Sequence, residues 1–129
     1  MKDWIKAFRL RTLPLTFSCI IVGAALASKQ GFFDSTIFIL ALSTTLFLQI
    51  LSNLANDYGD TKKGTDNENR IGPIRGVQSG AISISQIKVA IIVFVILSFI
   101  SGLLLVFYAT KGINFLYTIG FILLGILAI

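Results

Sequence analysis

The 129-residue sequence has no histidine and a single cysteine. Cys19 therefore has no partner here for an internal disulfide, and a soft-metal centre of thiolates and imidazoles is excluded. Cys19 lies in an apolar run, where packing as a small residue is expected. Charge is equally scarce. Only 13% of the residues are charged, against about 25% in an ordinary soluble domain. With 55% hydrophobic residues and a mean hydropathy of +0.87, the chain reads as an integral membrane protein. No internal repeat and no low-complexity segment is visible. No small-residue cleavage site follows the basic first twelve residues, so they read as a mature segment and not as a removed leader.

What is present divides into apolar spans and one polar passage. Met1 to Thr12 places Trp4, Ile5 and Phe8 on one helical face and Lys2, Lys6 and Arg9 on another, the pattern of an interfacial helix. Four transmembrane spans are expected at about 13–28, 36–55, 87–108 and 113–129. Pro14 stands near the start of the first, where its missing N–H costs least. Gly23, Ala24, Ala25 and Ala27 give that span a small-residue face for close packing. A net charge of +5 in a soluble protein would point to nucleic acid. Here it is explained by orientation, and no nucleic-acid partner is expected. With four spans, nine of the eleven basic residues fall on the side of the N-terminus and the polar loop. The positive-inside rule makes that side cytoplasmic, in a cell (cytoplasmic) membrane. The fourth span closes on an apolar residue without a flank, as expected of the first part of a longer protein.

The polar passage, about 56–86, carries the chemistry. Asp57, Asp60, Asp66 and Glu68 are balanced by Lys62, Lys63, Arg70 and Arg75. Gln49, Asn53, Asn56 and Asp60 recur at intervals of four, three and four. They share a face if the second helix continues to Asp60, with Asp57 beside the stripe. Asp57 and Asp60 stand one helical turn apart, so both carboxylates can approach one cation, and Asn56 can add a neutral oxygen. Hard oxygens suit Mg²⁺, which takes one or two carboxylates and leaves its remaining positions to water and phosphate. Arg70 and Arg75 offer planar forks for phosphate oxygens, or serve only as positive-inside anchors. Arg9 and Arg11 either face the same site or anchor the first helix. Gly59 and Gly64 permit the backbone to turn away. Gln86 stands at capping-box distance from Ser83. The plainer alternative for the whole passage is a solvated loop whose acids pair with its own lysines.

The stretch from Gln49 to Pro73, QILSNLANDYGDTKKGTDNENRIGP, closely resembles the first aspartate-rich region of the UbiA superfamily of membrane prenyltransferases. Gly64-Thr65-Asp66, Arg70-Ile71-Gly72-Pro73, Gln78-Ser79-Gly80 and the N-terminal Arg9-Leu-Arg11-Thr-Leu-Pro14 are similar to the branch of that superfamily that serves menaquinone biosynthesis. The resemblance implies an all-α integral membrane fold, the four spans here being the first part of a nine-helix bundle. It implies Mg²⁺ held by Asp57, Asp60 and Asn56, with Asp66 as a further ligand. It also implies a polyprenyl diphosphate whose head group is met by Asn53, Asn56, Arg70 and Arg75. The acceptor would be 1,4-dihydroxy-2-naphthoate, which loses its carboxylate to give demethylmenaquinone. A second aspartate-rich motif, expected of the family, lies beyond residue 129.

Three other readings compete. Prenyl transfer to a different aromatic acceptor would use the same site. A phosphatidyl-type transferase also uses aspartates and Mg²⁺, but its expected spacing of acids along a helix is absent. A small cation-transport or assembly subunit would place ionisable groups in mid-span, whereas the first three spans carry none in their interiors.

Overall fold

The computed structural model describes residues 2–63 and 80–127, and all regular structure among them is helical. Helix α1 spans Lys2–Phe8, α2 Leu13–Lys29, α3 Ser35–Lys63, α4 Ile84–Ala109 and α5 Phe115–Leu127. A single 3-10 turn, Leu10–Thr12, joins α1 to α2. Three stretches, Lys2–Lys29, Ser35–Lys63 and Ile84–Ala109, are long and apolar enough to cross a membrane. The chain is accordingly a multi-pass membrane protein.

The ends of these helices follow from local chemistry. Pro14 falls in the first turn of α2, where no helical N–H bond is lost. Gly31, at φ 78°, ends α2 in a Schellman motif: its N–H donates to Ser28 O, and that of Phe32 to Ala27 O at 2.9 Å. Three residues later Asp34 caps α3, its Oδ1 accepting from the N–H groups of Thr36 (2.7 Å) and Ile37 (3.0 Å). At α4 the capping box is reciprocal. Gln86 N donates to Ser83 Oγ (3.2 Å), and Ser83 N donates to Gln86 Oε1 (2.9 Å).

The sequence leaves open whether the second helix continues to Asp60, and the structure answers it. Helix α3 does not stop where the apolar run stops, near residue 55, but continues for eight residues to Lys63. Gly59 lies inside that helix and makes no turn there; among the described residues the turn glycines with positive φ are Gly31, Gly80 and Gly112, and Gly64 lies outside the described residues. A helix already propagating adds a hydrogen bond for each residue it fixes, so an isolated glycine lowers its stability without ending it. Cys19, expected to pack as a small residue, is exposed on α2.

The most extensive packing is between α3 and α4. Midway along the pair, the hydroxyls of Thr44 and Ser101 meet at 3.1 Å, and Gly102 of α4 stands next to the Thr44 methyl. Bonds of this kind join apolar helices that gain nothing by leaving lipid for one another. At the end of α3 nearer Lys63 a small core forms from Ala7, Ile50, Leu54, Ile82 and Ile87. Phe8 and Phe94 cover it edge to face, with ring centres 5.5 Å apart. This core holds α1 across the ends of α3 and α4, beside the acidic turn of α3. Elsewhere long apolar side chains such as Val89, Ile92, Phe99 and Phe107 are exposed, as a bilayer permits and water does not.

Candidate functional site

Because α3 continues past its apolar segment, Asn56, Asp57 and Asp60 stand on its last two turns. Asp57 is 2% exposed, Asp60 half-buried and Asn56 exposed. The polar line facing the N-terminal segment runs through Gln49, Asn53 and Asp57, one residue per turn. The sequence reading had drawn it through Asn56 and set Asp57 beside it. A four-residue step advances only slightly more than one full turn, so two such steps stay under a helix packed across α3.

Each residue of that line holds a different part of the N-terminal segment. Gln49 Oε1 accepts from Thr16 Oγ1 at 3.0 Å. Asn53, buried at 4% exposure, donates from Nδ2 to the carbonyl of Phe8 at 3.0 Å. Asp57 Oδ1 accepts from Arg9 Nη2 in an ion pair. The carboxylate of that pair is fully enclosed, while the Arg9 side chain keeps 33% of its surface exposed.

Arg9 is also the only non-glycine residue with positive φ among the described residues. Its φ of 50° and ψ of 51° place it in the left-handed region. For a residue with a side chain, that conformation costs on the order of 1 kcal/mol. Two anchors on α3 fix this elbow: Asn53 holds the carbonyl of Phe8 just before it, and Asp57 holds the Arg9 side chain itself. The elbow in turn directs the guanidinium inward. Sequence reasoning left Arg9 open between the site and a headgroup anchor. Its only signals in the sequence are its place with Lys2 and Lys6 on the basic face of the amphipathic first segment and its position two residues before Arg11, which the structure leaves exposed.

Asp66, Arg70 and Arg75, also expected at the site, lie outside the described residues. Lys62 and Lys63 are exposed at the end of α3. Tyr58, half-buried, has the Lys88 ammonium 5.7 Å from its ring centre, a cation–π contact that ties the start of α4 to the acidic turn. An open apolar groove lined by Trp4, Ser85, Gln86, Val89 and Ala90 runs between α1 and α4.

The donor set is chemically suited to a hard divalent cation. Asp57 and Asp60 supply carboxylates from one helix face, and no cluster of three or more acids, cysteines or histidines occurs among the described residues. Two protein carboxylates are enough where phosphate and water complete the coordination.

Comparison with known proteins places this geometry in context. Residues 16–129 match the UbiA prenyltransferase family. The chain is 51% identical over 126 residues to a 1,4-dihydroxy-2-naphthoate octaprenyltransferase of Escherichia coli, covering 98% of this chain and 40% of that protein. It is 47% identical over 132 residues to the protein of the same name in Haemophilus influenzae, covering 100% of this chain and 42% of that one. A Mycobacterium tuberculosis protein of that name is 32% identical over 103 residues, which is 80% of this chain and 35% of the relative. The chain thus spans about two fifths of the length of its two most similar curated relatives named here. No solved structure matches it.

Proposed function

The chain belongs to the UbiA prenyltransferase family, and from that premise we propose that the protein containing it transfers a polyprenyl group from polyprenyl diphosphate to 1,4-dihydroxy-2-naphthoate. The allylic carbon–oxygen bond to the diphosphate breaks and a carbon–carbon bond to the ring forms. The ring carboxylate departs as carbon dioxide and the diphosphate leaves, giving demethylmenaquinol, the hydroquinone whose later two-electron oxidation yields demethylmenaquinone. The observation that carries this reading is the continuation of α3, which sets Asp57 and Asp60 one turn apart beyond an apolar span. The names of the relatives support the acceptor.

Enzymes of this family generally use a divalent metal, and we assign Mg²⁺ to Asp57 and Asp60, with Asn56 and Asp66 as further oxygen donors. When bound, the ion would supply Lewis-acid stabilisation of the charge on the departing diphosphate. The chain's own residues do the rest. Asp57 and Asp60 are held at fixed spacing by one rigid helix, so the head group of the donor is positioned relative to the bundle. Arg70 and Arg75 take its outer oxygens by bidentate contact. Asn53 stands one turn behind Asp57, where its amide fixes the neighbouring elbow as well as facing the head group. The exposed apolar helix faces admit a prenyl chain from the bilayer without carrying it through water. We assign the N-terminus and the acidic turn to the cytoplasmic side of the cell membrane, on the distribution of basic residues.

The test is prenyl transfer in membranes carrying the full-length protein, with labelled polyprenyl diphosphate, 1,4-dihydroxy-2-naphthoate and Mg²⁺. Asp57→Asn and Asp60→Asn should each lower turnover by about 10²-fold or more, the scale on which lost transition-state charge stabilisation is felt. Turnover that survives both substitutions refutes the assignment of these carboxylates. Transfer to hydroxybenzoate but not to the naphthoate keeps the chemistry and overturns the acceptor.

A further inference from the structure

Neither the aspartate motif nor its metal chemistry calls for Arg9. A basic residue that merely anchored α1 to headgroups would point out of the bundle. Here the guanidinium turns inward onto Asp57, the most enclosed carboxylate among the described residues. The backbone adopts a left-handed elbow at that residue, and Asn53 holds the carbonyl just before it. A third of the Arg9 side chain remains exposed, so it lies between the buried carboxylate and the surroundings. A carboxylate this enclosed needs a cationic partner, because burying an unpaired charge is very costly. A divalent cation and a guanidinium on the same carboxylate repel each other at short range. The two are therefore competitors for Asp57.

We propose that Arg9 is the resident counter-ion of Asp57, displaced by the divalent cation and passed to the oxygens of the diphosphate that the cation brings. The proposal rests on the metal–diphosphate reading of Asp57. Before loading, Arg9 neutralises the carboxylate and locks α1 across the end of α3. Once the cation takes Asp57, the guanidinium loses its partner beside the place where anionic oxygens arrive. Its planar fork suits those oxygens. The docking of α1 is then coupled to the state of the site. The cation alone loosens the N-terminal arm, and the cation with a diphosphate fastens it again. A purely structural strut would behave differently, since its removal would weaken every ligand alike.

The experiment uses the full-length protein in nanodiscs, with Mn²⁺ as a paramagnetic probe and inorganic pyrophosphate as the anion. Binding is compared in the wild type, Arg9→Met, Arg9→Lys and Asp57→Asn. Arg9→Met should bind Mn²⁺ alone more tightly, on the order of tenfold, and bind pyrophosphate in the presence of Mn²⁺ more weakly by a similar factor. Arg9→Lys, which keeps the charge, should recover part of the pyrophosphate affinity. Weaker binding of both ligands in Arg9→Met makes Arg9 a strut and overturns the proposal. Mn²⁺ binding untouched by Asp57→Asn removes the metal reading itself, and the proposal with it. Mn²⁺ lost in Asp57→Asn but unchanged in Arg9→Met overturns the proposal alone. If Arg9→Met fails to fold, hydrogen exchange of wild-type residues 2–12 decides. Exchange there should quicken with Mg²⁺ and slow when pyrophosphate is added. Constant exchange at 2–12 while residues 53–63 respond to the ligands overturns the proposal.

Discussion

Replacing Asn53 by leucine separates the two tasks that this side chain could perform. The substitution keeps nearly the same volume but removes the amide that donates to the Phe8 carbonyl at 3.0 Å. That carbonyl closes α1 and stands just before the left-handed elbow. Leaving such an acceptor without its donor costs about 1–3 kcal/mol when it is buried. This bond is only partly buried, so water can reach the carbonyl and the lower half of that range applies. A cost of about 1–2 kcal/mol multiplies the population with α1 undocked by roughly 5–30. Hydrogen exchange of the full-length protein in nanodiscs should therefore accelerate by about that factor across residues 2–12. Gln49→Leu is the control. It removes the acceptor for Thr16, one turn farther along α3, and should leave residues 2–12 unchanged. Unaltered exchange at 2–12 in Asn53→Leu would refute the fastening role. If pyrophosphate affinity fell at the same time, Asn53 would be a contact to the diphosphate and nothing more.

Substitutions at two further positions test the frame around the site. Ser83→Ala removes one half of the α4 capping box and should cost about 1 kcal/mol, seen as faster exchange in the first turn of α4 and a lower melting temperature. At Gly102, a methyl group would meet the Thr44 methyl carbon at an ordinary 3.7 Å. Gly102→Ala should raise stability by about 0.5–1 kcal/mol through the helix backbone, whereas Gly102→Leu should overpack the α3–α4 contact and lower it by about 1–3 kcal/mol. Thermal melts in detergent would check both signs.

The parts of this architecture that the sequence discloses are those set by composition and by short-range bonding. Apolar runs longer than a bilayer's width mark α3 and α4. Ser83 and Gln86 announce the start of α4 because a capping box is a contact between residues three apart. Pro14 marks the start of α2 for an equally local reason. The reach of α3 to Lys63 was harder to read, because Asn56, Asp57 and Gly59 are poor helix formers. An established helix with α4 and α1 packed on it overrides such weak preferences. At the site, the spacing of Asp57 and Asp60 was legible as one helical turn. The Arg9–Asp57 pair was not, since it joins residues 48 apart through an elbow whose conformation no local rule assigns to arginine. Asn53 was legible as a polar residue facing protein, but its partner, a backbone carbonyl, leaves no trace in the side-chain pattern.

The length of α3 has a consequence for where the reaction takes place. Its 29 residues measure about 43 Å end to end, while the hydrocarbon layer is about 30 Å thick. The polar residues of its final turns, from Asn56 to Lys63, suit a place beyond the oily slab, at the depth of the lipids' own phosphate groups. A diphosphate tethered to an isoprenoid tail floats at that same depth, so the donor of the proposed reaction reaches the carboxylates by drifting sideways in two dimensions. Bilayer thickness then becomes a control on the proposed reaction. In a membrane thickened by longer acyl chains, the acidic turn sinks towards the slab and away from the head group of the proposed donor.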